Sequence, residues 1–267
     1  MSQSAVSGSL ADLEGHFDVK FFDRIGKRIQ LNEFGKALRP KAQALIEQAH
    51  DLESALRRHS DIGRVQLGAT LTIGNYLAVE LMAQFMREQP GAQIALEVAN
   101  TAEIVHKIAN FELDIALVEG EISHPDLDIS VWREDELSVF CAPTHPFAQK
   151  KKLSDADLLE ATWILRETGS GTRQTFDRAM HGLLPDLNVM LELQHTEAIK
   201  RAVEAGLGVG CISRVALREA FKRGSLVPLT VPGRDFRRNF YFVIHRQKYR
   251  SAGIQRWLSL CREHTAP

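Results

Sequence analysis

The sequence predicts an α/β protein of two lobes, carried behind a short amphipathic helix, a small β-ribbon and one long helix. Three observations give that order. From residue 64 onward, apolar runs of strand length alternate with helix-period segments, the pattern of α/β domains with mainly parallel strands. Between 33 and 58 a single apolar stripe keeps a strict 4-3-4-3-4 spacing. At the start, Val6, Leu10, Leu13 and Phe17 fall on one helical face, while Ser2, Gln3, Ser4 and Ser7 give the other face short groups that both donate and accept hydrogen bonds.

After the first helix, Phe21 and Phe22 are predicted core. The stretch 24–31 reads as a two-stranded ribbon turning at 26–27, with Ile25, Ile29 and Leu31 as its apolar points. Asn32 is a good N-cap for a helix over 33–58. Leu38, Ala42, Leu45, Ala49, Leu52 and Leu56 form its seam, a narrow Leu/Ala stripe that calls for a second helix against it. The helix spans roughly 39 Å at about 1.5 Å per residue, and Pro40 is expected to bend it near its start. A break at 60–63 then separates the N-terminal unit from the rest. Strands are predicted at 64–69, 93–99, 114–118, 127–132 and 137–142, with helices at 75–89 and 101–110. The proline-flanked turn at 143–146 reads as a crossover into a second lobe. There strands at 163–166, 189–193 and 209–213 alternate with helices at 171–181, 196–205 and 215–222. A strand at 240–245 leads back to the first lobe, and a helix at 253–262 closes the chain. The domain plan is therefore 1–31, 32–60 and 64–267, with lobe 1 over about 64–142 and 246–267 and lobe 2 over about 143–245.

Composition limits the function. With 267 residues, 44% apolar and 25% charged, the chain is an ordinary globular one. No apolar run approaches the roughly 18 residues of a membrane helix, and no basic-then-apolar leader opens the chain; a cytoplasmic protein without a membrane partner is expected. Cys141, Cys211 and Cys261 are odd in number and far apart, which reads as buried thiols in a reducing compartment. No HExxH or CxxC pattern occurs, so neither metal nor cofactor is expected. A formal net charge of −1 argues against polyanion binding by the whole chain. Between Lys20 and Lys41, however, seven basic residues stand against two acidic ones, the footprint of a phosphate-tracking surface beside the first helix.

The order Ser2-Gln-Ser-Ala-Val-Ser7, then Leu13-Glu14, then Phe21-Phe-Asp-Arg24 resembles the recognition helix and following segment of LysR-type transcriptional regulators. Further stretches extend the resemblance over essentially the whole chain: Thr70-Leu-Thr-Ile-Gly-Asn-Tyr76, Phe111-Glu-Leu-Asp-Ile115, Val118-Glu-Gly120, Trp163-Ile-Leu-Arg-Glu-Thr-Gly-Ser-Gly-Thr-Arg173 and Glu197-Ala-Ile-Lys200. As a set they are most similar to the YeiE-like branch. The resemblance implies a two-lobed, periplasmic-binding-protein-like effector domain behind a winged helix-turn-helix and a linker helix. In the family the recognition helix is the third of its unit, so two further helices are expected upstream and Met1 would be internal. Gln3, Ser4 and Ser7, with Ser2 beside them, would meet base edges in double-stranded DNA. Arg24, Lys27 and Arg28 would hold phosphates at the wing, positioning the head rather than reading sequence. The linker seam would make a homodimer or a tetramer, and RNA polymerase is a further implied partner.

Three strand-to-helix turns are rich in hydroxyls: Thr70, Thr72, Gly74 and Asn75; Asn100 and Thr101; and Gly169, Ser170, Gly171, Thr172 and Arg173. His195 and Thr196 repeat the theme. In open α/β sheets ligands lie at the carboxyl ends of strands, facing helix N-termini whose free N–H groups favour small anions. Gly169 and Gly171 would let the backbone bring amides inward. By the resemblance the effector is a small oxyanion, sulfite or sulfate ahead of a small carboxylate. Glu119 opposes a dianion unless it points away or pairs with Arg173. Ser170, His195 and Glu197 supply the residue types of a nucleophile relay, but no GxSxG elbow surrounds the serine, and no enzyme is expected. A transport substrate-binding protein shares the two-lobed fold but has no use for residues 1–58. A ligand-binding dimer without DNA binding is the remaining alternative.

Overall fold

The computed structural model describes residues 2–25, 28–56 and 64–264. Lys27, the turn at 26–27 and the break at 60–63 lie outside the described residues, as do the side chains of Gln3, Arg24, Arg28 and Leu56. Helix α1 (Gln3–Phe17) starts at Ser2, whose hydroxyl accepts from the Ala5 amide at 3.3 Å. Ser2 is thus a cap, while Ser4 and Ser7 are exposed on the helix. Glu14 ties the helix end to the ribbon: its carboxylate accepts from the Phe21 amide (2.8 Å) and from Lys20 (2.9 Å), and these bonds hold its pKa below the usual range. Val6, Leu13 and Phe17 remain exposed. Strands β1 (Phe22–Ile25) and β2 (Arg28–Leu31) pair antiparallel as the expected ribbon.

Asn32 caps α2 (Glu33–Leu56): its Oδ1 accepts from the Gly35 amide at 2.8 Å, and its Nδ2 donates to the Lys20 carbonyl. Leu38, Ala42, Leu45, Ala49 and Leu52 are not buried, so the seam is uncovered in the single chain. The opposite side of α2 is anchored. Lys248, its side chain buried, bonds Glu47 of α2 and lies 2.7 Å from Asp114, whose other oxygen accepts from the Gln66 amide. Arg39 of α2 sits over the Phe111 ring, which in turn packs on His245 at 4.0 Å. Phe111 is one of two non-glycine residues in the left-handed region among those described, and this stack holds it there.

Lobe 1 begins with β3 (Arg64–Thr70), whose end passes through α3 (Leu71–Ile73) and a π turn (Gly74–Ala78) into α4 (Val79–Glu88). Then come β4 (Gln93–Ala99), α5 (Thr101–Ala109) and β5 (Ile115–Glu119). These three strands are parallel, in the order β4-β3-β5. Two long strands run between the lobes: β6 (Leu127–Cys141), which pairs in both sheets, and β11 (Arg237–His245), which lies between β5 and β6. Lobe 2 holds α6 (Asp155–Glu160), β7 (Thr162–Arg166), α7 (Gly171–Ala179), β8 (Asn188–Leu193), α8 (Thr196–Glu204), β9 (Val209–Ser213), α9 (Arg214–Arg223) and β10 (Val227–Leu229). Its parallel strands run β8-β7-β9. Helix α6 and strand β10 go beyond the predicted set. The closing helix α10 (Ala252–Glu263) packs back on lobe 1.

The crossing corrects the sequence reading, which has residues 133–136 interrupt two strands and puts the crossover at 143–146. Instead β6 is one strand of 15 residues that pairs with β11 over 127–136 and with β9 over 137–140. The acidic run stays in the strand because Glu136 and Asp135 lie opposite Arg237 and Arg238, and opposite charges on paired strands stabilise each other. Residues 137–141 therefore lie in the lobe 2 sheet and 240–245 in the lobe 1 sheet. Residues 143–149 are a turn inside lobe 2, with His145 capping a short 3-10 helix (Pro146–Gln149).

Each sheet is covered on both faces. In lobe 1, Phe85 and Trp257 meet edge-on at 5.6 Å among Val65, Leu67 and Phe240, while Ile104 and Ile108 cover the other side. In lobe 2, Trp163 meets Phe176 at 4.9 Å, and its indole N–H donates to the Leu158 carbonyl. All three cysteines are buried free thiols, as expected, and burial raises the Cys141 pKa to about 11.

The Lys248 anchor gives a stability prediction. Lys248→Met leaves two largely buried carboxylates without their cation, and should cost about 3 kcal/mol, read as a lower urea midpoint at unchanged slope. Glu47→Gln, which keeps a hydrogen-bond acceptor for Lys248, should cost less.

Candidate functional site between the lobes

Glu119, the last residue of β5, is buried, and it gathers groups from both lobes. Its Oε1 accepts from Thr72 Oγ1 (2.9 Å, lobe 1) and from Thr172 Oγ1 (3.1 Å, lobe 2). Arg238, from the crossing strand β11, places Nη1 3.6 Å from the same oxygen and donates to Thr172 Oγ1 at 3.0 Å. Its Nε donates to Asp135 of β6 at 2.7 Å, and Ser213, ending β9, donates to the other Asp135 oxygen at 2.8 Å. One hydrogen-bonded chain thus joins β5, α3, α7, both crossing strands and β9.

The chain is incomplete. Glu119 Oε2, Arg238 Nη2, Thr70 Oγ1 and Thr196 Oγ1 are buried with no hydrogen-bond partner among the described residues. An unpaired buried polar atom costs about 1–3 kcal/mol, more if charged. Three donors and one carboxylate oxygen are therefore left unsatisfied by the described residues.

The lobes touch directly on one side of this group. Gly171, opening α7, packs so tightly on the Glu119 carbonyl that a Cβ at that position would lie 2.0 Å from it, and Gly120 takes φ +98 where the strands meet. Thr101 Oγ1 donates to the Glu119 carbonyl (2.9 Å) and accepts from the Gly171 amide (3.1 Å). The Ala102 amide donates to the Gly169 carbonyl at 3.3 Å. Gln174 clamps Glu121, accepting from its amide and donating to its carbonyl. A second clasp joins the lobes elsewhere: the Tyr76 hydroxyl, on the π turn, donates to Glu197 of α8, which also accepts from Lys200 at 2.6 Å. Burial first, then the bond to Glu197 and its charge, push the Tyr76 pKa well up, so it stays a donor. Burial works to raise the Glu197 carboxyl, but the bonds from Lys200 and Tyr76 outweigh it and hold it low.

The predicted residues therefore divide. Thr72, Glu119 and Thr172 are joined in the buried polar group, while Thr70 and Thr196 are buried with their hydroxyls unpartnered among the described residues. Asn100, Thr101, Gly169, Ser170 and Gly171 belong to the contact between lobes. There the first amides of α5 and α7 are already bonded, to Asn100, Ser170, Thr101 and the Gly169 carbonyl, so those helix starts do not offer the free N–H groups expected of them. By contrast, the caps of α3 and α8, Thr70 and His195, make no side-chain capping bond. Gly74 is turned against Val98, and Asn75 and His195 are exposed. Arg173 departs most: it bonds Asp177, Glu192 and the Arg166 carbonyl, and it lines a separate hollow of about 450 Å³ with Asp177 and Gln174. Glu119 is inside the cleft and is paired with Arg238, not with Arg173. Arg238 and Asp135 escaped the sequence reading. Their only signal was a pair of basic residues and an acidic run inside predicted or near-predicted strands. The nucleophile relay is not assembled: Ser170 caps α7, while Glu197 is engaged with Tyr76 and Lys200.

Comparison with known proteins places this geometry. The family model for the LysR substrate binding domain matches residues 58–266. The HTH-type transcriptional regulator YeiE of Escherichia coli K12 is 39% identical over 267 residues, covering all of this chain and 90% of that protein. The regulatory domain of CcmR from Synechocystis PCC6803, solved in complex with 2-PG, superposes with a TM-score of 0.70 at 30% identity, over 76% of this chain and 97% of that one. A full-length OxyR variant from Pseudomonas aeruginosa, at 20% identity, shares the fold over 98% of this chain and 85% of its own, with a TM-score of 0.74.

The tight contact at Gly171 is testable without any ligand. Gly171→Ala must move the lobes apart at Glu119, so amide exchange at Gly120, Glu121 and Gly171 should rise at least tenfold, while amides of α4 keep their protection. Unchanged exchange would mean the contact is not what closes this side.

Proposed function

Since the chain belongs to the LysR family and is a LysR-type transcriptional regulator with an effector-binding domain, we propose that a small oxyanion held between its lobes sets how it engages DNA. Members of the family bind DNA, take small-molecule effectors and form oligomers. The relatives are regulators and not enzymes, and neither is this chain. No helix among the described residues is long and apolar enough to cross a membrane; action in the cytoplasm on double-stranded DNA is part of the proposal.

The observation that carries the effector reading is the set of open buried atoms: two threonine hydroxyls and one guanidinium nitrogen as donors, beside one carboxylate oxygen. Three donors suit an oxyanion. The carboxylate oxygen is acceptor-only when ionised and requires that the ligand bring a hydrogen of its own. Sulfite, which carries a proton in part near neutral pH, meets both demands. Sulfate, fully deprotonated there, leaves Glu119 facing a bare dianion. We therefore place sulfite first, sulfate second and small carboxylates behind them. The CcmR regulatory domain in complex with 2-PG supports small-ligand binding in this fold.

In the proposed mechanism the effector favours one lobe geometry over another, and it shifts the balance only by its differential affinity for the two. Helix α2, fixed to lobe 1 through Lys248, carries the change to the DNA-reading helices of a dimer, or of a tetramer built from it, with RNA polymerase as the downstream partner. Ser4, Ser7 and Gln3 of α1 face base edges, and Arg24, Lys27 and Arg28 hold the backbone.

Calorimetry with sulfite, sulfate and small organic acids tests the site. Sulfite should bind at least tenfold more tightly than sulfate, and Glu119→Gln should narrow that gap. Absence of heat from every oxyanion, or unchanged affinity in both Thr72→Ala and Thr172→Val, would falsify it. The dimer is tested separately with Leu45→Asp, which places a charge in the exposed seam. Sedimentation should report monomers and a gel shift should show lost DNA binding, with sulfite affinity within about twofold of the parent. Simultaneous loss of effector binding would sink the separable linker.

A further inference from the structure

Away from the cleft, α4, β6 and α9 enclose a hollow of about 540 Å³ that spans both lobes. Its volume is in the range of small-molecule sites, roughly 300–1,000 Å³. Arg87 reaches it from α4, Arg133 from β6 and Arg218 from α9. None of the three has an ion-pair or hydrogen-bond partner among the described residues, and Glu80 is the one carboxylate among the described lining residues. Among the lining residues three guanidiniums thus face one carboxylate, with Glu219 acting on Arg218 from outside the hollow. The contrast with the hollow beside Asp135 is informative: there Arg178, Arg237 and Arg238 are paired with Glu121, Asp235 and Asp135.

The backbone has been shaped for this place. In a regular strand successive side chains point to opposite faces, yet Trp132 and Arg133 are consecutive and line the same hollow. The cause is a β-bulge: Arg133 pairs with Phe240 and Val131 with Tyr241, leaving Trp132 as the extra residue. Bulges re-aim side chains and recur beside functional sites. The Trp132 indole N–H is already satisfied by the Cys261 carbonyl, so the residue offers its ring and not a donor, and Arg133 lies over that ring at 5.9 Å. Leu77 and Leu81 add apolar wall.

We propose that this hollow is a second ligand site, for a small molecule bearing a phosphate ester or pyrophosphate group. Three guanidinium forks match tetrahedral phosphate oxygens better than a single planar carboxylate, and a dianion balances the surplus charge. The leucines and the indole accept a short carbon skeleton. Because Arg218 is on lobe 2 and Arg87 on lobe 1, such a ligand bridges the lobes and acts on the same equilibrium as a ligand in the cleft, whatever the cleft binds.

Inorganic pyrophosphate and glucose 6-phosphate, titrated into the full chain by calorimetry at constant ionic strength, test it. Saturable heat from at least one, weakened tenfold or more in Arg133→Gln/Arg218→Gln and retained in Thr172→Val, is the expected result. Arg87→Gln, on the exposed face of α4, should weaken binding severalfold with the fold intact. The proposal is overturned if neither phosphate gives saturable heat, if both arginine variants bind like the parent, or if Thr172→Val abolishes the heat and so puts the phosphate in the cleft. Response to duplex DNA alone would overturn it as well.

Discussion

A carboxylate taken out of water must be satisfied by donors, and Glu119 finds its donors only when both lobes are in place. Thr72 comes from its own lobe, Thr172 from the other, and Arg238 from β11, beside the point where β6 passes between the sheets. Pulling the lobes apart removes Thr172 and leaves Arg238 with Asp135 alone. The buried charge therefore resists opening, but only in part, because one of its oxygens is still unpaired. That is the condition for a ligand-sensitive hinge: closure is favoured by existing bonds and further favoured by any ligand that completes the set. A cleft already complete would gain nothing from a ligand, and a cleft lined only with apolar groups would have no directional demand on it.

The crossing strands turn this local chemistry into a property of the whole chain. Arg238 and Asp135 sit at the point where β6 leaves the lobe 1 sheet for the lobe 2 sheet, so a change in their bonding is a change in the angle between sheets. Helix α2 is attached to one sheet only. Its ion triad with Lys248 and Asp114, and the Arg39–Phe111–His245 stack, bind it to lobe 1. Reorientation of lobe 2 is then felt relative to the linker helix, and in an oligomer relative to the neighbouring subunit. In the proposed mechanism these packed contacts are what would carry a change at the cleft to α2.

Much of this was legible in the sequence, and the exceptions have physical causes. Periodicity located α2 and its exposed seam because a two-position stripe is a local signal. Thr72, Thr172 and Glu119, grouped in the sequence reading by their place at the carboxyl ends of parallel strands, do come together between the lobes. Arg238 and Asp135 were missed because their meaning arises only from pairing across 103 residues. The same pairing explains the misplaced crossover: Arg133-Glu-Asp-Glu136 is poor strand sequence alone and good strand sequence opposite Arg237 and Arg238. Arg173 misled for the converse reason. It follows the glycine loop in sequence, but within the first turn of α7 its side chain is already directed at Asp177, four residues on, and at Glu192.

Under the proposed oxyanion reading, charge balance is what would decide which anion the cleft takes. Within it, Lys200 and Glu197 neutralise each other, and the single guanidinium of Arg238 is shared between two carboxylates, Glu119 and Asp135. No net positive charge is left over among these groups to attract an ion from a distance. Selection must then rest on short-range geometry, through the hydroxyls of Thr70 and Thr196 and the free Arg238 nitrogen, against the repulsion of Glu119. A dianion gains from the donors but meets the carboxylate directly, in a site where water cannot screen the two. A protonated monoanion gains nearly the same donor bonds and converts that repulsion into a charge-assisted hydrogen bond, roughly twice as strong as a neutral one. In that reading the carboxylate that joins the lobes would also be the filter on what completes them.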